Sequence, residues 1–281
     1  MPLTSSSRGP DSGTIVLFDM DGTLTAPRES FDNSLYSSFK ELSKHAQIGI
    51  VTGSSYKYIQ QQLWNLLIDG TLRFKIHLLP CNGTIYYAPY PFARGNGLPK
   101  FELVHESNMR NEIGESVFNS LMQELIHRQA SILGYSKFPL TGHFIDYRGS
   151  MINWCPIGRN ASTEERDKFK QFLEKNDNFR QWQIDILKER ASLGGYADKL
   201  TFKLGGETSF DVYPNGWDKT YALKHFRDLD IWFVGDSCDH SGNDKEIYDE
   251  LSKLGRAFAT TDPSMTKEII DNQIIPRLSS N

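Results

Sequence analysis

The sequence predicts an α/β fold in two parts, a core built on a parallel sheet and a second α/β unit with an antiparallel sheet inserted into it. Three observations lead there. Up to Leu79, short apolar runs alternate with amphipathic helical stretches. The middle of the chain switches to helices and strand-like pieces in mixed order. Near the end, another apolar run (IWFVG) restores the pattern of the start.

Residues 14–19 (TIVLFD) form a short apolar run and read as a buried strand. Phe31, Leu35, Phe39 and Leu42 then share one helical stripe, with Ser30 placed to cap it. Residues 47–52 (QIGIVT) give the next strand, and Ser54 or Ser55 can cap a helix carrying Ile59, Leu63 and Leu66. Residues 74–79 give a third strand, ended by the Pro80-Cys81-Asn82-Gly83 turn. Strand, helix, strand, helix, strand implies a parallel sheet with right-handed crossovers. Ligands of such sheets bind beyond the carboxyl ends of the strands, where Asp19, Thr52 and Asn82 all stand.

Residues 85–100, rich in Tyr, Pro and Gly, read as the crossing into the second domain. Helices are expected near 117–126 and 164–173, the latter opening with the capping-box pattern Ser162-x-x-Glu165. Strands are expected near 143–147, 151–155, 200–204 and 209–213. Residues 231–235 return as a buried strand ending in Asp236, followed by a short strand at 256–259 and an apolar-periodic terminal helix. The implied division is 1–88 and 216–281 for the core, and 89–215 for the inserted domain.

At 281 residues the chain is long enough for two modest domains, and 38% hydrophobic with 23% charged content suits a soluble globular enzyme. A net charge of -4 with no long basic run argues against a nucleic-acid partner. Phosphate must then be bound by a few placed cations rather than a general field. Cys81, Cys155 and Cys238 lie far apart with no CxxC pair, which argues against a disulfide framework or a thiolate zinc site. The polar start lacks an apolar signal core, and no apolar run reaches the length of a membrane span. No membrane partner is expected, and the expected location is the cytoplasm.

Asp19-Met20-Asp21-Gly22-Thr23 directly follows a strand. Carboxylates two residues apart on extended chain point the same way. One can attack phosphorus while the other handles a proton, and Gly22 lets the backbone turn closely around a phosphate. Two carboxylates facing a phosphate dianion repel it, so a cation is required. Mg²⁺ suits an all-oxygen site. Asp236 and Asp244, in the strings GDS and GND, supply further carboxylates. Thr52 or Ser54 can donate a hydroxyl to the phosphoryl group and Lys219 a positive charge. Each has a plainer reading beside it, Thr52 and Ser54 as helix caps and Lys219 as a solvated lysine; Asp239 and His240 look like metal ligands but read better as an exposed polar loop. A DxDGT string alone also fits a calcium-like loop; its place after an apolar strand, with a second acidic motif after another, favours catalysis.

FDMDGTLT together with GDSCDHSGNDKEI resembles the haloacid dehalogenase (HAD) superfamily of aspartate phosphotransferases. A closer resemblance, from about Val16 to Asp244, is to the eukaryotic-type phosphomannomutases. It is carried by FDMDGTLTAPRE, FIDYRGSMINWCPIGR, SFDVYPNGWDK and the GD…GND loop. The resemblance implies a Rossmann-like HAD core with an inserted α/β cap of the C2 type, and a dimer joined through that cap. It implies Asp19 as nucleophile, Asp21 as general acid/base, and Mg²⁺ held by Asp19, Asp236 and the backbone carbonyl of Asp21, with Asp244 nearby. It assigns Arg28, Arg148, Arg159, Ser209 and Asp211 to the hexose phosphate. The implied reaction interconverts mannose 6-phosphate and mannose 1-phosphate through an aspartyl-phosphate, with a hexose 1,6-bisphosphate as activator, and feeds nucleotide-sugar (GDP-mannose) synthesis.

The chain departs from the family in four places. Where the family carries a phosphate-binding arginine in a KRGTF-like string, this chain reads Thr141-Gly142-His143-Phe144. Losing one charge-assisted contact costs about 1.5–3 kcal/mol. The family's glutamate before Asn82 is Cys81, its lysine after the motif aspartate is Ser237, and its glycine at 52 is Thr52. These changes leave a Mg²⁺-dependent sugar phosphatase with the same nucleophile as the alternative. A non-enzymatic phosphosugar sensor is disfavoured, because a binder has no use for paired carboxylates facing a dianion.

Overall fold

The computed structural model describes residues 13–26, 29–90, 100–132, 138–239 and 242–280. Strand β1 (Thr14–Phe18) is buried on both faces, Val16 and Phe18 in one apolar cluster and Ile15 and Leu17 in another. A strand covered by two layers has no polar position, hence its continuous apolar run. A 3₁₀ turn (Asn33–Leu35) leads into α1 (Tyr36–Leu42). Here Asp32, not Ser30, is the cap, accepting from the backbone N–H of Ser34. A carboxylate satisfies that donor and also opposes the positive end of the turn. The stripe of Phe31, Leu35, Phe39 and Leu42 is buried.

β2 (Gln47–Val51) and α2 (Tyr56–Leu67) follow, with Ser55 at the N-cap position. β3 (Ile76–Leu79) starts later than the apolar run suggests, because Leu72–Phe74 closes a 3₁₀ turn. Of the segment expected to cross between domains, the first residues form a strand and residues 91–99 lie outside the described residues. β4 (Ile85–Pro89) and β5 (Phe101–Glu106) pair antiparallel and extend the first sheet beyond β3. Tyrosines suit such a half-buried pleated surface. The boundary expected at 89 therefore falls inside this hairpin.

The second unit comprises α3 (Met109–Ile113), α4 (Glu115–Ile132), β6 (Ile145–Tyr147), β7 (Ile152–Trp154), α5 (Thr163–Lys175), α6 (Phe179–Leu193), β8 (Leu200–Gly205) and β9 (Ser209–Pro214). Its sheet runs β6-β7-β9-β8, and every pair is antiparallel. α5 opens with the capping box of Ser162 and Glu165. Helix α6 has no counterpart in the sequence reading. Its buried face includes Gln183 and Ala191 among Phe179, Ile184 and Leu187, which blurs the apolar period.

The chain then returns to the first sheet through β10 (Asp230–Gly235), α7 (Lys245–Ser252) and β11 (Ala257–Ala259). It ends in α8 (Pro263–Ile269), one π turn (Ile270–Ile274) and α9 (Ile275–Ser279). The sheet order is β11-β10-β1-β2-β3-β4-β5, parallel from β11 to β3. β1 sits near its middle, with β2 on one side and β10 on the other. The crevice beyond the carboxyl ends of β1 and β10 is where such sheets take ligands.

Candidate active site

Asp19 is the first residue past β1, and its backbone N–H still donates to the Val234 carbonyl at 2.9 Å, continuing the ladder. The chain then turns at Gly22, whose φ is +87°. A Cβ there would lie 2.4 Å from Asp236 Oδ2, so only glycine lets the two acidic loops meet. Gly235 has the same role at the end of β10, where a Cβ would stand 2.5 Å from Asp244 Oδ2.

The result is a convergence of charge. Carboxylate oxygens of Asp19, Asp236 and Asp244 lie within 4.8 Å of one another. Lys219 opens a 3₁₀ segment (Lys219–His225) whose cap is Asp218. It is wholly buried and donates to Asp19 at 2.5 Å and to Asp244. The second oxygen of Asp244 accepts from the Ser237 N–H at 3.1 Å. Lys219 is therefore no solvated lysine. Burial pulls its pKa down, but the charges of Asp19 and Asp244 outweigh burial and raise it, so it stays protonated.

One lysine does not neutralise three carboxylates. Burial raises the pKa of Asp19 well above the carboxylate range; Lys219 opposes this, while Asp244 and Asp236 push it further up. Asp236 is raised by burial and by Asp244. An all-oxygen cluster with excess negative charge suits a hard divalent cation, so Asp19, Asp236 and Asp244 fit Mg²⁺. The Asp21 carboxylate stands apart from this group. Its Oδ1 accepts from Gln62 Nε2 at 3.1 Å, and Gln62 also donates to the Tyr58 hydroxyl. At the end of β2, Thr52 Oγ1 accepts from the Ser54 N–H at 3.1 Å, so its acceptor side serves the loop.

The second unit faces this cluster across a cavity of about 420 Å³, lined by Asp19, Asp21 and Asp236 from one side and Arg148, Arg159 and Asp211 from the other. Arg148 follows β6 and Arg159 follows β7. One carboxylate, Asp146, accepts from Arg148 Nε at 2.9 Å and lies 3.6 Å from Arg159 Nε. Arg148 Nη1 also reaches the core, donating to the Gly53 carbonyl at 2.7 Å. Asn153 on β7 donates to Asp211 at 2.7 Å and to Ser209 Oγ at 2.9 Å, and accepts from Arg159 Nη1 at 2.8 Å. Burial raises the pKa of Asp211, against the pull of Arg148, Asn153 and Arg159.

Arg28 and His240 lie outside the described residues. The other site residues expected from the sequence line this cavity or, like Lys219 and Asp244, stand immediately behind its acidic wall. Asp146, Asn153, Gln62, Arg166 and Arg180 were not foreseen. Asp146 carried a signal, two residues before Arg148 on the same strand face; Asn153 meets Asp211 only through the β7–β9 register, which the sequence does not display.

A family model described as eukaryotic phosphomannomutase matches residues 35–275. A phosphomannomutase of Dendrobium officinale is 36% identical over 252 residues, covering 89% of this chain and 90% of that protein. One of Arabidopsis thaliana is 35% identical over 258 residues, covering 91% and 95%. Among solved structures, an IMP-bound IMP-nucleotidase of Plasmodium falciparum aligns with a TM-score of 0.61 and 18% identity, covering 94% of this chain and 66% of that one. That last likeness concerns the fold alone.

Proposed function

The chain belongs to the eukaryotic phosphomannomutase family, and on that premise we propose that it interconverts mannose 6-phosphate and mannose 1-phosphate through a phosphorylated Asp19. It is an enzyme of the phosphotransferase–isomerase type. The observation that carries the mechanism is the opposition of Asp19 to Arg148, Arg159 and Asp211 across one cavity.

A carboxylate oxygen of Asp19 attacks phosphorus of a hexose 1,6-bisphosphate, the P–O bond to the sugar breaks, and Asp21 protonates the leaving oxygen. The monophosphate left behind departs. A mannose 6-phosphate replaces it, and its free 1-hydroxyl, deprotonated by Asp21, takes the phosphoryl group from Asp19. The resulting 1,6-bisphosphate reorients, Asp19 takes the 6-phosphoryl group as Asp21 protonates the 6-oxygen, and mannose 1-phosphate leaves. Gln62 orients the Asp21 carboxylate, and Lys219 holds Asp19 and Asp244 in place. Arg148 and Arg159 hold whichever phosphate points away from Asp19, with Ser209 and Asp211 on the sugar; Arg28 is assigned to the substrate by resemblance, and Thr52, where the family has glycine, donates its hydroxyl to the phosphoryl group. Mg²⁺, held by Asp19, Asp236 and Asp244 with a backbone contribution from Asp21, would supply charge neutralisation for the phosphoryl group.

A sugar phosphatase is the second reading. Its support is Thr141, whose hydroxyl donates to the Ile157 carbonyl at 2.9 Å and brings no charge to the cap. Incubation with Mg²⁺, mannose 1-phosphate and catalytic hexose 1,6-bisphosphate, followed by assay of mannose 6-phosphate and free phosphate, separates the two. Isomer without phosphate is expected; phosphate alone overturns the mutase.

A cytoplasmic homodimer fits the same reading. Cys81, Cys155 and Cys238 are free thiols. Among the described residues no helix is long and apolar enough to cross a membrane. Ile126, Trp182 and Leu193 are exposed on helices α4 and α6, the surface a cap-to-cap dimer would use.

A further inference from the structure

Helix α6 brings into the cavity a charge that no sequence motif marks. Arg180, in its first turn, lines the cavity beside Arg148 and Arg159. Its Nη2 donates to the carbonyls of Gly206 at 2.8 Å and Ser209 at 2.6 Å, with a longer contact to Gly205 at 3.4 Å. Its guanidinium carbon lies 5.6 Å from the centre of the Phe210 ring. These contacts tie the turn between β8 and β9, which delivers Ser209 and Asp211.

They leave most of its donors idle. Nε is buried with no hydrogen-bond partner, and Nη1 bonds to none of the described residues. No carboxylate of the described residues lies within ion-pair distance of it. The contrast with its neighbours is sharp. Arg148 and Arg159 share Asp146. Arg166 gives its donors to the Ala161 and Arg159 carbonyls and to Thr208 Oγ1. The nearby Glu207 pairs with Lys170 at 3.2 Å. Burial lowers the pKa of Arg180 to about 10, with Asp211 the main opposing influence. A largely buried cation with no carboxylate in ion-pair contact is costly, and the cost is relieved when an anion arrives with the ligand.

We propose that Arg180 is a substrate-binding residue, its Nη1 edge donating to the phosphate remote from Asp19 while Nη2 keeps Ser209 and Asp211 in register with the sugar. This rests on the mutase reading only for the identity of the ligand, a phosphosugar. The two functions use different edges of one planar group, which lysine cannot imitate.

The test uses the full chain carrying Asp19→Asn, so that bound ligand is not turned over, and titrates glucose 1,6-bisphosphate and phenyl phosphate by calorimetry. R180Q is expected to weaken the bisphosphate about tenfold or more, the worth of one charge-assisted contact, and phenyl phosphate by a clearly smaller factor. In the Asp19-containing enzyme the same change should raise KM more than it lowers kcat. Equal weakening of both ligands, or no weakening, overturns the proposal; the first outcome marks Arg180 as a support of the turn only. Should R180Q unfold, R180K decides: it retains charge, and bisphosphate affinity equal to that of Arg180 overturns the proposal. If bisphosphate binding depends on Arg180 while the Asp19-containing enzyme makes no isomer, this inference stands and the mutase reading falls.

Discussion

Arg148 and Gly53 meet across the two units: a guanidinium from the inserted domain donates 2.7 Å to a carbonyl in the loop that follows β2. The same side chain is braced from behind by Asp146. On the proposed function the same residue holds the substrate phosphate, so one side chain joins the ligand to the contact between the two units.

Replacing Arg148 with alanine should therefore affect two quantities. KM for the hexose phosphate is expected to rise about tenfold or more, from the lost charged contact. Free phosphate per isomer formed should also rise, because on the proposed mechanism a looser cap admits water to a phosphorylated Asp19. Paired isomer and phosphate assays measure both. An unchanged phosphate-to-isomer ratio would remove Arg148 from closure.

Lys219→Met leaves Asp19 and Asp244 buried without their shared cation. Breaking a buried ion pair on one side costs about 3–5 kcal/mol. Urea unfolding of this variant should show a loss of that size, with Lys219→Met/Asp244→Asn recovering part of it. A loss below about 1 kcal/mol would mean that the acidic cluster relaxes or takes up protons at little cost.

Gly22→Ala forces a side chain onto a backbone at φ +87° and against Asp236. Strain of about 1–3 kcal/mol is expected in thermal or urea unfolding. The larger effect should fall on kcat, by about tenfold or more, since Asp236 must move away from Asp19. Full activity in this variant would show that the two acidic loops do not need their close approach.

Acid should destabilise the fold through His77, which burial holds down to about 4 against an ordinary 6.5. Between those values the unfolded chain binds more protons than the folded one, so stability falls as pH falls through that window. His225, also lowered by burial, acts in the same direction. Between pH 7 and pH 5 the loss from His77 is about 2 kcal/mol. Urea midpoints at the two pH values test this, and His77→Gln should flatten the slope.

What could be read in the sequence was local. Asp19, Asp21 and Asp236 stand directly after apolar strands or two residues later, Asp244 closes the acidic loop that follows the last of those strands, and Lys219 sits in a long distinctive string. Each of these placements needs only a few neighbouring residues to infer. Some of what was missed needed partners distant in sequence, and some turned on a single local residue. The hairpin of β4 and β5 looked like a crossing segment because its tyrosines and glycines do not reveal that β3 is waiting to pair. Asn153 becomes part of the site only because β7 lies beside β9. Arg180 was hidden because helix α6 buries a glutamine where periodicity calls for an apolar residue. Ser30 lost the cap to Asp32 because a carboxylate two residues later fits the same stripe.

The middle position of β1 has a consequence for synthesis on the ribosome. When residue 214 has emerged, the antiparallel sheet of the cap is complete, but one flank of β1 still lacks β10, and Lys219, Asp236 and Asp244 have yet to appear. Until then Asp19 remains a hydrated carboxylate on an open strand edge, chemically idle and prone to mispairing. The enzyme thus gains its reactivity in the last quarter of translation, when β10 slots in and closes that edge.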